Sequence, residues 1–193
     1  MKVFHPTNLP LRRPHERVLF VIYLLGGLIF TVKVDGVHAE STLITVWLSF
    51  ILAISFMETW VRYKAPLLRK NIAVDVGRYI FGALTAVEFG LAGAFWITRY
   101  TKGSSTSSVF PAVATVVLLF LSFFLLPLIF IRAKQKIVNE GAPLEFWTKE
   151  ERVVLTLIQS EISGEPLTPT KLPVAYALLE MTKAVCLLLF LCW

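Results

Sequence analysis

Val76–Ile97 reads VGRYIFGALTAVEFGLAGAFWI. From Tyr79 to Ile97 it runs 19 residues with one charge, close to the roughly 20 that a helix needs to cross the hydrocarbon of a bilayer. Gly82, Ala86, Gly90 and Ala94 recur every fourth residue and share one helical face, which Ala83 and Gly93 widen. In lipid, small residues in such a row let two helix backbones approach closely, and that packing is a main source of attraction between helices. Half a turn away sits Glu88, the single charge of the span. A helix with a groove on one side and a carboxylate on the other needs protein neighbours on both. The stretch therefore reads as the central helix of a membrane bundle.

The rest of the chain fits that reading. Of its 193 residues, 56% are hydrophobic and 13% aromatic, gathered into continuous blocks. Continuous blocks predict an all-α polytopic transmembrane bundle and speak against a β-barrel, whose strands alternate. The net charge of +6 would suggest nucleic acid in a soluble protein. Here the Lys and Arg lie in short loops beside apolar spans, so the partner they point to is the lipid bilayer. Cys186 and Cys192 lie six residues apart in one apolar block, a spacing on one helix that disfavours a disulfide. No CxxC, HExxH or Cys/His cluster points to a metal or other cofactor.

Five spans are predicted, at residues 18–32, 43–61, 79–97, 109–131 and 174–193, in one transmembrane domain. Residues 1–17, with Pro6, Pro10 and Pro14, read as an extended or turning arm. The first apolar run is short, and a cleaved signal ending near Val37-His38-Ala39 would leave four spans. The long basic stretch before it, and Lys33 and Asp35 after it, favour a retained helix. Ser41-Thr42 reads as the N-cap of the second span. Thr98–Ser108, TRYTKGSSTSS, reads as a loop. Pro111 sits near the start of the fourth span, where proline is tolerated, and Pro127 near its end predicts a kink. Residues 132–173 form the sizeable extramembrane segment. Within it Thr148-x-x-Glu151 resembles a capping box, and Val153, Val154, Leu157, Ile158 and Ile162 form the apolar face of a short amphipathic interfacial helix.

Four ionisable residues fall inside predicted spans: Glu58, Glu88, Glu180 and Lys183. Insertion scales place a charged residue at mid-bilayer at about 2.5–3.5 kcal/mol, so each needs a partner, water or neutralisation. Glu58 is near a helix end, within reach of Arg62 and Lys64. Glu180 and Lys183 share a helix face. Glu88 and Lys183 each lie nine residues into a span entered from the same side, which puts them at one depth and lets them pair. An ion or proton path is the functional reading of these groups, and a buried pair that fixes packing is the plainer one, which the sequence favours. Trp47, Trp60, Trp96 and Trp193 fall near predicted span ends and read as interface anchors. Trp147, with Phe146, precedes the amphipathic helix.

The run Met57–Phe81, METWVRYKAPLLRKNIAVDVGRYIF, resembles the first hairpin of small uncharacterised four-helix membrane proteins similar to the copper-resistance D group. Trp60, Ala65-Pro66-Leu67 and Gly77-Arg78 ahead of a small-residue helix carry the likeness, and Leu126-Pro127 adds to it. That resemblance implies a membrane helical bundle. The family typically places histidine on its helices, whereas His5, His15 and His38 all precede the second predicted span, so metal handling is not carried over.

These readings lead to an expectation of a non-enzymatic integral membrane protein with a structural or interaction role. An accessory subunit of a complex, packed against other membrane-protein subunits or against itself, fits best. The alternative is a small transporter or ion- or proton-conducting protein using Glu88, Glu180 and Lys183. Counting Lys and Arg gives fifteen on one set of alternate loops and three on the other, so the N-terminus is expected on the cytoplasmic side. Single cysteines at Ser105 and Ser160, in a chain with Cys186 and Cys192 replaced by alanine, should react with an impermeant thiol reagent from opposite sides. Labelling of both from one side would overturn this topology.

Overall fold

The computed structural model describes Leu11 and residues 13–58, 70–103, 107–139 and 171–192, all helix or short connection. Five helices are long and apolar enough to cross a membrane: Pro14–Lys33, Val37–Met57, Tyr79–Lys102, Val109–Arg132 and Leu172–Cys192. Helix α1 is Pro14–Lys33. Helix α2, Gly36–Phe50, continues as π-helical turns over Ile51–Glu58. Helix α3 is Lys70–Lys102. Helix α4, Val109–Phe120, passes through a π-helical stretch at Leu121–Leu125 into α5, Leu126–Asn139. Helix α6 is Leu172–Cys192. The amphipathic helix expected after Thr148, with Trp60, Trp147 and Trp193, lies outside the described residues, as does the side chain of Glu58.

Several boundaries differ from those predicted. Helix α1 starts inside the expected arm because Pro14 occupies its first turn, where a missing N–H costs nothing and the fixed φ suits the helix. The Glu16 carboxylate accepts a hydrogen bond from the Arg13 backbone N–H at 3.2 Å, closing that end. Ser41 and Thr42 are not caps. Helix α2 already begins at Gly36, and both hydroxyls donate back to the His38 carbonyl, at 3.1 and 2.8 Å, a local bond that lets such residues sit inside a helix. The expected loop at Thr98 is also corrected: α3 runs on to Lys102 and stops at Gly103. That glycine has a φ of +62°, and its N–H reaches the Arg99 carbonyl at 3.1 Å, a left-handed terminator open to glycine at little cost. The fourth span does not end at Pro127. The turn before the proline widens into the π-helical stretch, and the chain then continues as helix to Asn139. Proline removes one donor from the ladder, and a wider turn is one way for the helix to absorb the defect.

Polarity is distributed inside out. Glu40, Glu88, Glu180, Lys183, Thr98 and Ser122 are buried, while Val18, Ile22, Leu25, Ile29, Val116, Phe124, Leu178 and Leu188 are exposed. Water would penalise that arrangement and hydrocarbon favours it. Contacts fix the directions of the helices. Along α1 and α3, Glu16 lies over Gly82, Phe20 over Gly90 and Gly27 against Ala94, so the two run parallel. Trp47 meets Glu88 and Glu40 meets Arg99, so α2 runs against α3. Trp96 meets Thr115 and Phe89 meets Phe123, so α4 does too. The five spans therefore alternate in direction.

The small-residue face of α3 is where α1 docks. A Cβ at Gly90 would stand 2.8 Å from the Phe20 carbonyl oxygen and 3.1 Å from the Leu24 nitrogen. One at Gly27 would stand 2.7 Å from the Ala94 Cβ. These are backbone approaches that only an absent side chain allows, and they are the form of packing on which helix association in lipid depends. Gly26, by contrast, has nothing within 4 Å of the equivalent point. Gly90→Leu should therefore force α1 off α3 and cost about 1–3 kcal/mol or more, the usual penalty of overpacking. Gly26→Leu should leave thermal stability in detergent near that of the parent. Equal stability of the two variants would mean that α1 does not seat in this groove.

Candidate functional site

Opposite the groove, α3 presents Glu88 to α6. The carboxylate is 1% exposed and Lys183 is 0% exposed, and Lys183 Nζ lies 2.5 Å from Glu88 Oε1. The same ammonium lies 3.1 Å from Glu180 Oε1, one turn earlier on its own helix. From α2, Trp47 Nε1 donates to Glu88 Oε1 at 2.9 Å. The pairing expected from equal depth is thus made, with both candidate acids on one ammonium. Tyr176 lies beside Glu180 and Ser55. Among the described residues, Glu180 Oε2 and Ser55 Oγ are buried without a hydrogen-bond partner.

Aromatic pairs close this cluster above and below. Phe81 meets Tyr176 edge-on with ring centroids 5.1 Å apart, and Phe95 meets Phe190 at 5.8 Å and 89°. Phe81, Glu88 and Phe95 are each separated by two helical turns, and so are Tyr176, Lys183 and Phe190. The seam is therefore a parallel heptad ladder with an ionic rung between two aromatic ones. Edge-to-face rings contribute about 0.5–1.5 kcal/mol each beyond the area they bury. They also keep lipid and water away from the charges, which strengthens the electrostatic attraction between them.

Trp47 corrects a sequence expectation. It is not an interface anchor but fully buried. The error follows from starting the second span at Leu43: with α2 beginning at Gly36 and continuing to Glu58, Trp47 falls at mid-helix. Trp96 is half-buried, and its indole donates to the Thr115 hydroxyl at 2.9 Å, tying α3 to α4. Glu40 was assigned to a loop, yet it is buried and accepts from Arg99 at 2.8 Å. The periodic run Ala39, Glu40, Leu43, Ile44, Trp47 and Ile51, all buried, was the signal that could have found both residues. At the same end, Lys102 Nζ donates to the Thr31 and Val34 carbonyls, capping the C-terminus of α1.

The other predicted positions serve a different surface. Gly82 and Gly90 meet α1, Ala94 meets Gly27 of α1, and Ala86 is fully buried on the same helix. None of them joins the ionic seam. Among the described residues, no group of three or more His, Cys, Asp or Glu is placed to hold a metal ion.

Removing one member of a buried ion pair leaves the other uncompensated, at a cost of about 3–5 kcal/mol, whereas removing both can be nearly neutral. Glu88→Gln and Lys183→Met should each lower stability sharply, and the double variant should recover part of the loss. Thermal or denaturant unfolding in detergent measures this. Strict additivity would show that the two groups are not coupled.

No family model matches the chain, and no curated protein or solved structure is significantly similar to it.

Proposed function

We propose that this chain is a non-enzymatic integral membrane protein whose role is structural or interactive, an accessory subunit of a larger membrane assembly. The observation that carries this reading is the use made of the intramembrane charges. Glu88 and Lys183 are spent on each other, enclosed by Trp47 and two aromatic rungs. Such an arrangement suits a fixed joint between helices. On the outside, Val113, Val116, Phe120, Phe123 and Phe124 give α4 and its π-helical continuation an exposed aromatic and branched surface, suited to lipid or to the helices of another subunit.

The proposed orientation places the start of α1 on the cytoplasmic side. At the opposite end the spans carry three basic residues, Lys33, Arg99 and Lys102. Two of them have structural work: Arg99 pairs with Glu40 and Lys102 caps α1. The charge asymmetry that remains is stronger than the raw count. The seating of α1 against Gly90 supports its retention as a structural helix rather than a cleaved signal.

A second reading, a small transporter or ion- or proton-conducting protein, is favoured by one observation, the unpartnered Glu180 Oε2 next to the ammonium. Purification from native membranes in mild detergent, followed by intact-complex mass spectrometry, separates the two. Recovery in a fixed stoichiometric complex with other membrane subunits is the result expected. Recovery only as a lone chain or homo-oligomer would overturn the accessory role in favour of the second reading.

A further inference from the structure

The cluster on α6 has one acid too many. Lys183 balances one carboxylate, and it sits closest to Glu88, which also receives the Trp47 indole. Glu180 offers the ammonium only Oε1, at the longer distance of 3.1 Å. Its Oε2 is buried with no partner among the described residues. With all three groups ionised, the site would hold one net negative charge inside the span, with no second cation printed at it to balance that charge. An uncompensated charge at that depth is costly, and so is a carboxylate oxygen buried without a donor.

We infer that the Glu88–Lys183–Glu180 cluster is a binding site for a single proton, held on Oε2 of Glu180. Protonation converts that oxygen from an unsatisfied acceptor into a donor, and it brings the cluster to zero net charge. The groups that face it are Lys183 and Tyr176 on its own helix, Glu88 on α3, and Ser55 and Trp47 on α2 and its π-helical continuation. Ser55 Oγ, buried and also without a partner, is the acceptor available to the new O–H, and Tyr176 lies beside both residues. Ser55 belongs to the π-helical stretch of α2, a wider winding often found at functional sites. The proton is bound whether or not the chain conducts, so the inference stands apart from the scaffold reading.

Infrared difference spectroscopy of the full chain in detergent or liposomes, with and without carboxyl-13C glutamate, tests this at neutral pH. A protonated glutamic acid gives a carbonyl stretch distinct from carboxylate bands, and it shifts in deuterium oxide. One such buried glutamic acid band is expected. It should be absent in Glu180→Gln, displaced in Ser55→Ala through loss of its hydrogen-bond acceptor, and retained in Glu88→Gln. Because Gln resembles the neutral acid, Glu180→Gln should also melt close to the parent, well above Glu88→Gln. The assignment is overturned if the parent lacks the band, or if the band persists in Glu180→Gln or vanishes in Glu88→Gln. A band indifferent to Ser55→Ala removes the serine from the site, and failure of Glu180→Gln to fold contradicts the neutral-acid state.

Discussion

An ammonium and a carboxylate facing each other inside a membrane span constrain everything around them. Neither Glu88 nor Lys183 reaches the surface, so each must find its complement within the bundle or not be charged at all. The geometry of α3 and α6 follows from that requirement. Two long side chains and two pairs of aromatic rings fill the space between these helices. On its other side α3 meets α1 with backbone atoms almost touching at Gly90. One helix thus carries a narrow interface and a wide one. The residues that set them, Gly90 and Glu88, are two positions apart and so point in different directions.

The two interfaces differ in what holds them. The groove gains from dispersion, which is individually weak, non-directional and dependent on close approach over many atoms. The ionic seam depends on a few groups in strict geometry, and Trp47 shows how far satisfaction of that geometry extends. Its indole N–H could have remained at a headgroup, yet α2 places it at mid-span to donate to Glu88. A similar logic holds at the far end of α3, where Arg99 and Lys102 are drawn inward by Glu40 and by the free carbonyls of α1. Helix C-termini attract cations because their last carbonyls lack internal partners.

How much of this could be read from the sequence depended on the range of the signal. The five spans were legible because hydropathy is an average over about 20 residues, insensitive to any one of them. The small-residue face and the depth match of Glu88 and Lys183 were legible because both follow from helical spacing alone. Boundaries were not, since Ser41, Thr42 and the residues from Thr98 are poor helix formers that tertiary context kept helical. Misplacing the start of α2 then displaced Trp47 and Glu40 from core to periphery. The π-helical turns and the unpartnered oxygens were beyond reach, because they depend on which helix stands opposite. That Glu88 would meet Lys183 could be argued; that Glu180 would have an oxygen to spare could not.

A buried ion pair gives weak evidence for stability, since an apolar pair of similar volume often holds a fold as well. Its value here lies in selection among alternatives. The last part of α6, CLLLFLC, is apolar on every face, and in lipid no face of such a helix is driven inward by its hydrophobicity. Leu187 is fully buried while Leu188 and Leu189 lie outward, although leucine at all three positions offers no reason for that choice. Lys183 supplies it. Turning α6 by one residue would carry the ammonium about 100° away from Glu88, and sliding it by a turn would move it about 5.4 Å along the seam. Either displacement leaves two charges uncompensated in hydrocarbon. The ion pair thus fixes both the rotation and the depth of a helix whose remaining sequence specifies neither, and the aromatic rungs, seven residues to either side, can form only in the register it selects.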